Sequence, residues 1–164
     1  MKHLVRRCQI TGTAGLLALA AIFAMAEEAD QALIERGRYL ITISGCNDCH
    51  TPNYAFADGQ VPEELWLTGD ILGWYGAWGT TYAANLRLLA NSLDEGQWVT
   101  MTRTLKTRPP MPWFNLNHMS EEDSRAMYHY IRSLGPAGES APTYQPPGSE
   151  PASPYVAFPS MPSE

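Results

Sequence analysis

The sequence predicts a helical fold class, and three observations carry that reading. Apolar residues recur at helical spacing over 30–43, 92–106 and 120–134. The second and third of these segments open on a capping-box pattern, Ser92 to Glu95 and Ser120 to Asp123. The aromatic stretch from Trp66 to Tyr82 follows neither a period of two nor one of 3.6, so it reads as irregular backbone rather than strand. With 164 residues, 45% of them hydrophobic, the chain can bury one modest core with extensions at its ends.

Residues 1–26 read as a cleavable export signal. Lys2, Arg6 and Arg7 supply a basic start, Ala14 to Phe23 a short apolar run, and Ala24-Met25-Ala26 the small-x-small pattern before Glu27. The apolar run falls short of the ~20 residues that span a bilayer, so cleavage is favoured over anchoring, with no transmembrane span in the mature chain. Cys8 leaves with the signal, and Cys46 and Cys49 remain. Losing Lys2, Arg6 and Arg7 leaves 8 basic against 17 acidic residues, net −9 where the whole chain has −6. Such an acidic chain is a poor partner for nucleic acid or an anionic membrane surface. The expected compartment is the periplasm.

The first helix is expected from an Asp30 cap to about Ile43, with Leu33, Gly37, Leu40 and Ile41 on one face. A glycine at its centre costs ~1 kcal/mol relative to alanine and is tolerable where another helix crosses at close range. Tyr39 is expected to pack at that crossing. Gly45 ends the helix directly before Cys46-Asn47-Asp48-Cys49-His50.

That stretch has the C-x-x-C-H form of a covalent haem attachment site. Two thiols at this spacing can add to the two vinyl groups along one haem edge, and the following imidazole can bind the iron. A single disulfide between Cys46 and Cys49 is the simplest rival for an exported cysteine pair. A thioredoxin-type site needs a surrounding βαβ pattern, and a zinc site needs a second ligand pair; the sequence has neither. With no internal repeat, one haem c per chain is expected.

Residues 51–70 read as loop. The aromatic and glycine-rich stretch that follows suits a wrap around a porphyrin edge, since Trp and Tyr combine an apolar body with one donor. Trp78, Tyr82, Asn85 and Arg87 are the candidate partners of the haem edge and its propionates. A helix follows from the Ser92 cap to about Lys106, and then the chain stiffens at Arg108-Pro109-Pro110-Met111-Pro112-Trp113.

The final helix starts at Ser120 and carries Met127, Tyr130, Ile131 and Leu134 on its apolar side before Gly135-Pro136 stops it. Residues 135–164 hold eight of the 13 prolines and no basic residue, which makes them an extended tail and not a second domain. Tyr144, Tyr155, Val156 and Phe158 are apolar enough to pin parts of it to the core.

His50 is the proximal iron ligand by motif, and the opposite side needs Met, His, water or nothing. Met101 and Met127 fall on helical apolar stripes, where methionine is more often core filler. Met161 is deep in the tail, Met119 adjoins a helix cap, and His129 points away from the apolar stripe. Met111, bracketed by prolines on a loop between helices, is the favoured sixth ligand, with His118 its chief rival. Six-coordinate His/Met iron has no open position, so it passes single electrons and does no bond chemistry. An open position would instead imply a haem catalyst or sensor, and a tail-docked haem subunit of a larger oxidoreductase is a third reading. Arg103, Lys106 and Arg108 run into the Met111 loop and predict a basic patch at the electron-exit edge.

On these residues the chain resembles the class I c-type cytochromes. The likeness rests on the helix with Gly37 and Tyr39, on Cys46 to His50, on Met111-Pro112 and on the final helix from Tyr128 to Leu134, and covers about 30–135. Within that class it is similar to the cytochrome subunits of bacterial membrane-associated alcohol and sugar-acid dehydrogenases, through Gly79, Tyr82, Asn85, Leu86, Met111-Pro112 and Tyr130 to Leu134. The resemblance implies an all-α fold whose terminal helices cross, with His and Met on opposite faces of one buried haem. It also implies single-electron traffic between a dehydrogenase and a respiratory acceptor. Those subunits carry three haem motifs and this chain one. The implied organisation is a signal over 1–26, a cytochrome c domain over 27–135 and a proline-rich tail over 136–164.

Overall fold

A helix that must cross another at close range needs a small residue at the crossing, and Gly37 supplies it. The computed structural model describes residues 11–151 and 154–159, apart from the side chains of 11–22. Lys2, Arg6, Arg7, Cys8 and Met161 lie outside the described residues.

Helix α1 spans Thr11–Ile43 and α6 spans Glu121–Ser133. They make the most extensive packing of any two elements. At Gly37 an added Cβ would stand 2.0 Å from the Ala126 carbonyl oxygen and 2.7 Å from Tyr130 Cβ. The backbones therefore meet where the sequence placed its glycine. Leu40 and Ile41 of α1 and Ala126, Met127, Tyr130 and Ile131 of α6 are buried around that point. Tyr39 is not there. It faces solvent with the Arg36 guanidinium 5.6 Å from its ring, because position 39 lies off the Leu33–Gly37–Leu40 face. Asp30 caps nothing either: α1 runs through it, since the Ala- and Leu-rich residues before it are strong helix formers.

A second tie braces the crossing. Glu63 accepts from Arg38 Nε at 2.9 Å and from the buried Tyr130 hydroxyl at 2.7 Å, and Arg38 lies over the Trp66 ring. The Arg38 hydrogen bond holds the Glu63 carboxyl below its usual range, while burial, followed by the bond to Glu63, pushes the Tyr130 phenol up.

The short helix α2 (Cys46–His50) follows Gly45, which turns the chain with φ 67°. Two single 3-10 turns then lead to a hairpin of β1 (Gly73–Gly76) and β2 (Gly79–Tyr82). This corrects the expectation of irregular backbone and, with it, of an all-α fold. β3 (Tyr155–Ala157), from the tail, pairs parallel to β1 and completes a three-stranded sheet of order β2-β1-β3. The hairpin has glycine at both ends of β1 and at the start of β2, and its third strand lies more than seventy residues away in the chain. Neither feature leaves a local alternation to read.

Helix α3 (Leu86–Ser92) is capped by Asn85, whose side chain accepts from the Leu88 N–H at 3.0 Å. Helix α4 (Glu95–Thr104) begins two residues later than expected. Its capping box is Asp94 with Gln97, while the Ser92 hydroxyl donates back to the Leu89 carbonyl. Helix α5 (Trp113–Asn117) follows the proline segment, and Ser120 caps α6 by accepting from the Asp123 N–H. Trp98 Nε1 donates to the Ser124 carbonyl at 3.0 Å and Thr102 Oγ shares a hydrogen bond with Ser124 Oγ, joining α4 to α6. Among the described residues no helix is long and apolar enough to cross a membrane.

Candidate functional site

One cavity of about 950 Å³ brings together most of the residues singled out from the sequence. Cys46, Cys49 and His50 stand on one side of it and Met111 belongs to its lining, as do Tyr82, Met101, His118, Met119 and Met127. The remaining lining is mostly apolar, including Leu86, Leu89, Trp98 and Leu105. Its volume is at the upper end of the ~300–1,000 Å³ of ordinary ligand pockets, as a large planar ligand requires.

The attachment side is held by a chain of short bonds. His50 is buried, and its Nδ1 stands 2.7 Å from the Ala84 carbonyl oxygen. A carbonyl only accepts, so Nδ1 carries the hydrogen and Nε2 keeps its lone pair for a metal. Burial lowers the His50 pKa, which keeps the ring neutral, as a metal ligand must be. The His50 carbonyl accepts from the Gly69 N–H at 2.8 Å. Thr51 Oγ donates to Asn47 Oδ1 and accepts from the Leu67 N–H, both at 2.7 Å. Leu67, fully buried with φ 62°, accepts in turn from the Leu86 N–H, so the strained residue locks α2 to the start of α3.

Cys46 and Cys49 are both free thiols. Burial, with Asp48 second, pushes the Cys46 thiol up to about 12, and the same two causes raise Cys49. Neutral thiols are poor metal ligands, and the described residues hold no cluster of three or more His, Cys, Asp or Glu suited to a metal ion.

Met111 sits on a loop held at both ends. Thr81 Oγ donates to the Pro109 carbonyl at 2.8 Å, and Asn117 Nδ2 donates to the Thr102 carbonyl at 2.8 Å. Met101, Met119 and Met127 also reach the cavity, but each packs in or against the hydrophobic core, which Met111 does not. His118 lines the cavity from an exposed position, and His129 is remote from it, bonded to Glu95 Oε2 at 2.6 Å.

Of the four expected edge partners, only Tyr82 lines the cavity. Arg87 is buried and gives its donors to the carbonyls of Glu64, Gly135 and Leu134, tying the end of α6 to the 3-10 turn at Glu63–Leu65. Asn85 caps α3 and donates to the Ala137 and Glu139 carbonyls. Trp78 occupies the hairpin turn, its ring against Phe158 and its Nε1 toward the Trp74 carbonyl. These three residues donate to the protein's own backbone and are not among the residues that line the cavity.

Trp74 is the residue that sequence reasoning passed over. It lines the cavity opposite Thr81 on the hairpin, and its Nε1–H is buried without a partner. A buried indole N–H without a partner costs ~1–3 kcal/mol. The hairpin register would have identified it, had the Gly76-Ala77-Trp78-Gly79 turn been recognised.

Of the three residues of the expected basic patch, Arg103 pairs with Glu121, whereas Lys106 and Arg108 are exposed and Arg108 keeps its charge in a stack on Tyr144.

The free thiol pair, the neutral histidine with an available Nε2 and the volume together fit a haem. The family model for cytochrome c matches residues 34–135, and the chain belongs to that family. It is 28% identical over 135 residues to the cytochrome c subunit of alcohol dehydrogenase (quinone) from Gluconobacter oxydans (strain 621H), covering 75% of this chain and 26% of that protein. The corresponding subunits of Gluconacetobacter polyoxogenes and Komagataeibacter europaeus are 27% identical over 142 residues, covering 78% of this chain and 28% of theirs. The chain thus spans about a quarter of the length of the curated relatives it matches. No solved structure matches it. As a member of this family the protein is an electron-transfer haem protein with covalently attached haem c, an electron carrier and not itself a catalytic enzyme.

Proposed function

We propose that this cytochrome c carries single electrons in the periplasm through a haem iron ligated by His50 and Met111. Bound haem supplies a one-electron iron couple. Cys46 and Cys49 hold it by thioethers, His50 offers Nε2 in a fixed orientation, and Met111 closes the other side with its thioether sulfur. The observation that carries the reading is the single cavity shared by the C-x-x-C-H helix and the one lining methionine that stands apart from the core packing. Trp74 and Tyr82 line the wall against which the haem edge would lie. A thioether opposite an imidazole raises the potential and leaves no position for oxygen or peroxide.

Export, with cleavage near Ala26 and Glu27, is supported by the exposure of residues 23–32, which contribute nothing to the core. The relatives are subunits of quinone alcohol dehydrogenases, which motivates a membrane dehydrogenase as donor and a respiratory component as acceptor. A redox titration of the haem-loaded protein, with carbon monoxide added to its ferrous form, tests the carrier reading. One-electron behaviour without carbon monoxide binding is expected. Ready binding, or peroxidase turnover, would instead establish an open coordination position.

A further inference from the structure

The C-terminal tail lies across the hairpin, and the hairpin grips the loop that carries Met111. Thr80 and Gln145 exchange both backbone hydrogen bonds, at 2.8 and 3.0 Å. The approach requires Gly79, with φ 92°, since a Cβ there would stand 2.2 Å from the Gln145 carbonyl oxygen. Beside this pairing the Tyr144 hydroxyl donates to the Trp78 carbonyl at 3.0 Å, and the Arg108 guanidinium lies 3.7 Å from the centre of the Tyr144 ring. Arg108 directly precedes Pro109, whose carbonyl accepts from Thr81 Oγ. The entry to the Met111 loop is therefore tied at two successive residues, once to the tail and once to the hairpin. Prolines at 109, 110 and 112 make the intervening backbone stiff, so a restraint at 108 and 109 is transmitted to 111.

We propose that Tyr144 and Arg108 are positioning residues for the sixth-ligand side of the haem: the tail, through this stack, keeps Met111 seated. The inference rests on the reading of Met111 as the ligand. A tail that merely covered the edge of the sheet would need only the β3 pairing and the Phe158 contacts with Trp74 and Trp78. Neither touches the ligand loop. The Arg108–Tyr144 contact does, and it is well within the ~6 Å range of a cation–π interaction.

Imidazole titration of the full-length, haem-loaded ferric protein tests this, because exogenous imidazole must displace a seated methionine. Tyr144→Ala and Arg108→Gln are each expected to bind imidazole about fivefold more tightly than wild type, since an exposed stack worth up to ~1 kcal/mol no longer opposes displacement. Tyr144→Phe, which keeps the ring and loses only the hydroxyl, should stay within about twofold of wild type. Unchanged imidazole affinity in the alanine and glutamine variants, even with lowered thermal stability, would overturn the inference and leave a purely structural strap. Tyr144→Phe behaving like Tyr144→Ala would overturn the stack as the means. The far-red methionine-to-ferric-iron band of the wild type separates the two levels. Its absence removes the Met111 reading and this inference together, whereas its presence beside unchanged imidazole affinity removes this inference alone.

Discussion

His50 and Met111 line one cavity from supports of different kinds. His50 belongs to a helix whose backbone and side chains are bonded into buried segments on three sides, through Ala84, Gly69 and the Asn47–Thr51–Leu67 chain. Behind it, Arg87 fastens the end of α6 to the Glu63–Leu65 turn, and the Gly37 crossing anchors the helix leading to α2. Met111 belongs to a half-exposed loop restrained by side-chain bonds from Thr81 and Asn117 and by the Arg108–Tyr144 stack. The first support is built from the core and the second from attachments to it. Changes in the first should therefore appear as lost stability, and changes in the second as altered ligation of a protein that stays folded.

Gly37→Val challenges the first support most severely. The added atoms meet the Ala126 backbone carbonyl, which has no side-chain freedom to yield, and we expect a loss of ~3 kcal/mol or more in denaturant unfolding of the haem-loaded protein. Arg87→Leu comes next. It strands three carbonyls around a buried side chain, and ~2–3 kcal/mol should be lost while the methionine-to-iron band persists. Thr81→Val tests the second support: removing one hydrogen bond to Pro109 should lower stability by only ~1 kcal/mol, yet weaken the far-red band more than Arg87→Leu does.

The smallest effect is pH-dependent. The Glu63 carboxyl is held below its usual range in the folded protein, chiefly by its hydrogen bond to Arg38. Its contribution is complete above the unfolded value of ~4.3 and is lost as pH falls through the lower folded value. Glu63 is 37% exposed, so solvent screening limits that contribution to below ~1 kcal/mol. Glu63→Gln should make the acid limb of thermal stability shallower. An unchanged limb would place acid sensitivity at other groups.

The same division explains what could be read from the sequence. Gly37, Leu40, Ile41, Met127, Tyr130 and Ile131 declare the helix crossing because a 3.6 period is local, and C-x-x-C-H is local in the same way. Asp94-x-x-Gln97 was hidden behind Ser92-x-x-Glu95, which satisfies the same capping pattern two residues earlier. Helix α3, seven residues long, is too short to establish a period. The hairpin depends on a strand arriving from Tyr155, and Arg87 on carbonyls at 64, 134 and 135. An arginine beside a haem motif suggests a propionate when its actual acceptors are distant in sequence. Trp74 was missed in favour of Trp78 for a related reason: only the strand register shows which indole faces the cavity.

Far-red absorption of the ferric, haem-loaded full-length protein, recorded beside Met111→Ala and His118→Ala, tests the ligand pair most directly. The methionine-to-iron band should be present in wild type and in His118→Ala and absent from Met111→Ala. A wild type without the band, or a band that survives in Met111→Ala, would contradict His50/Met111 ligation and the closed electron carrier built on it.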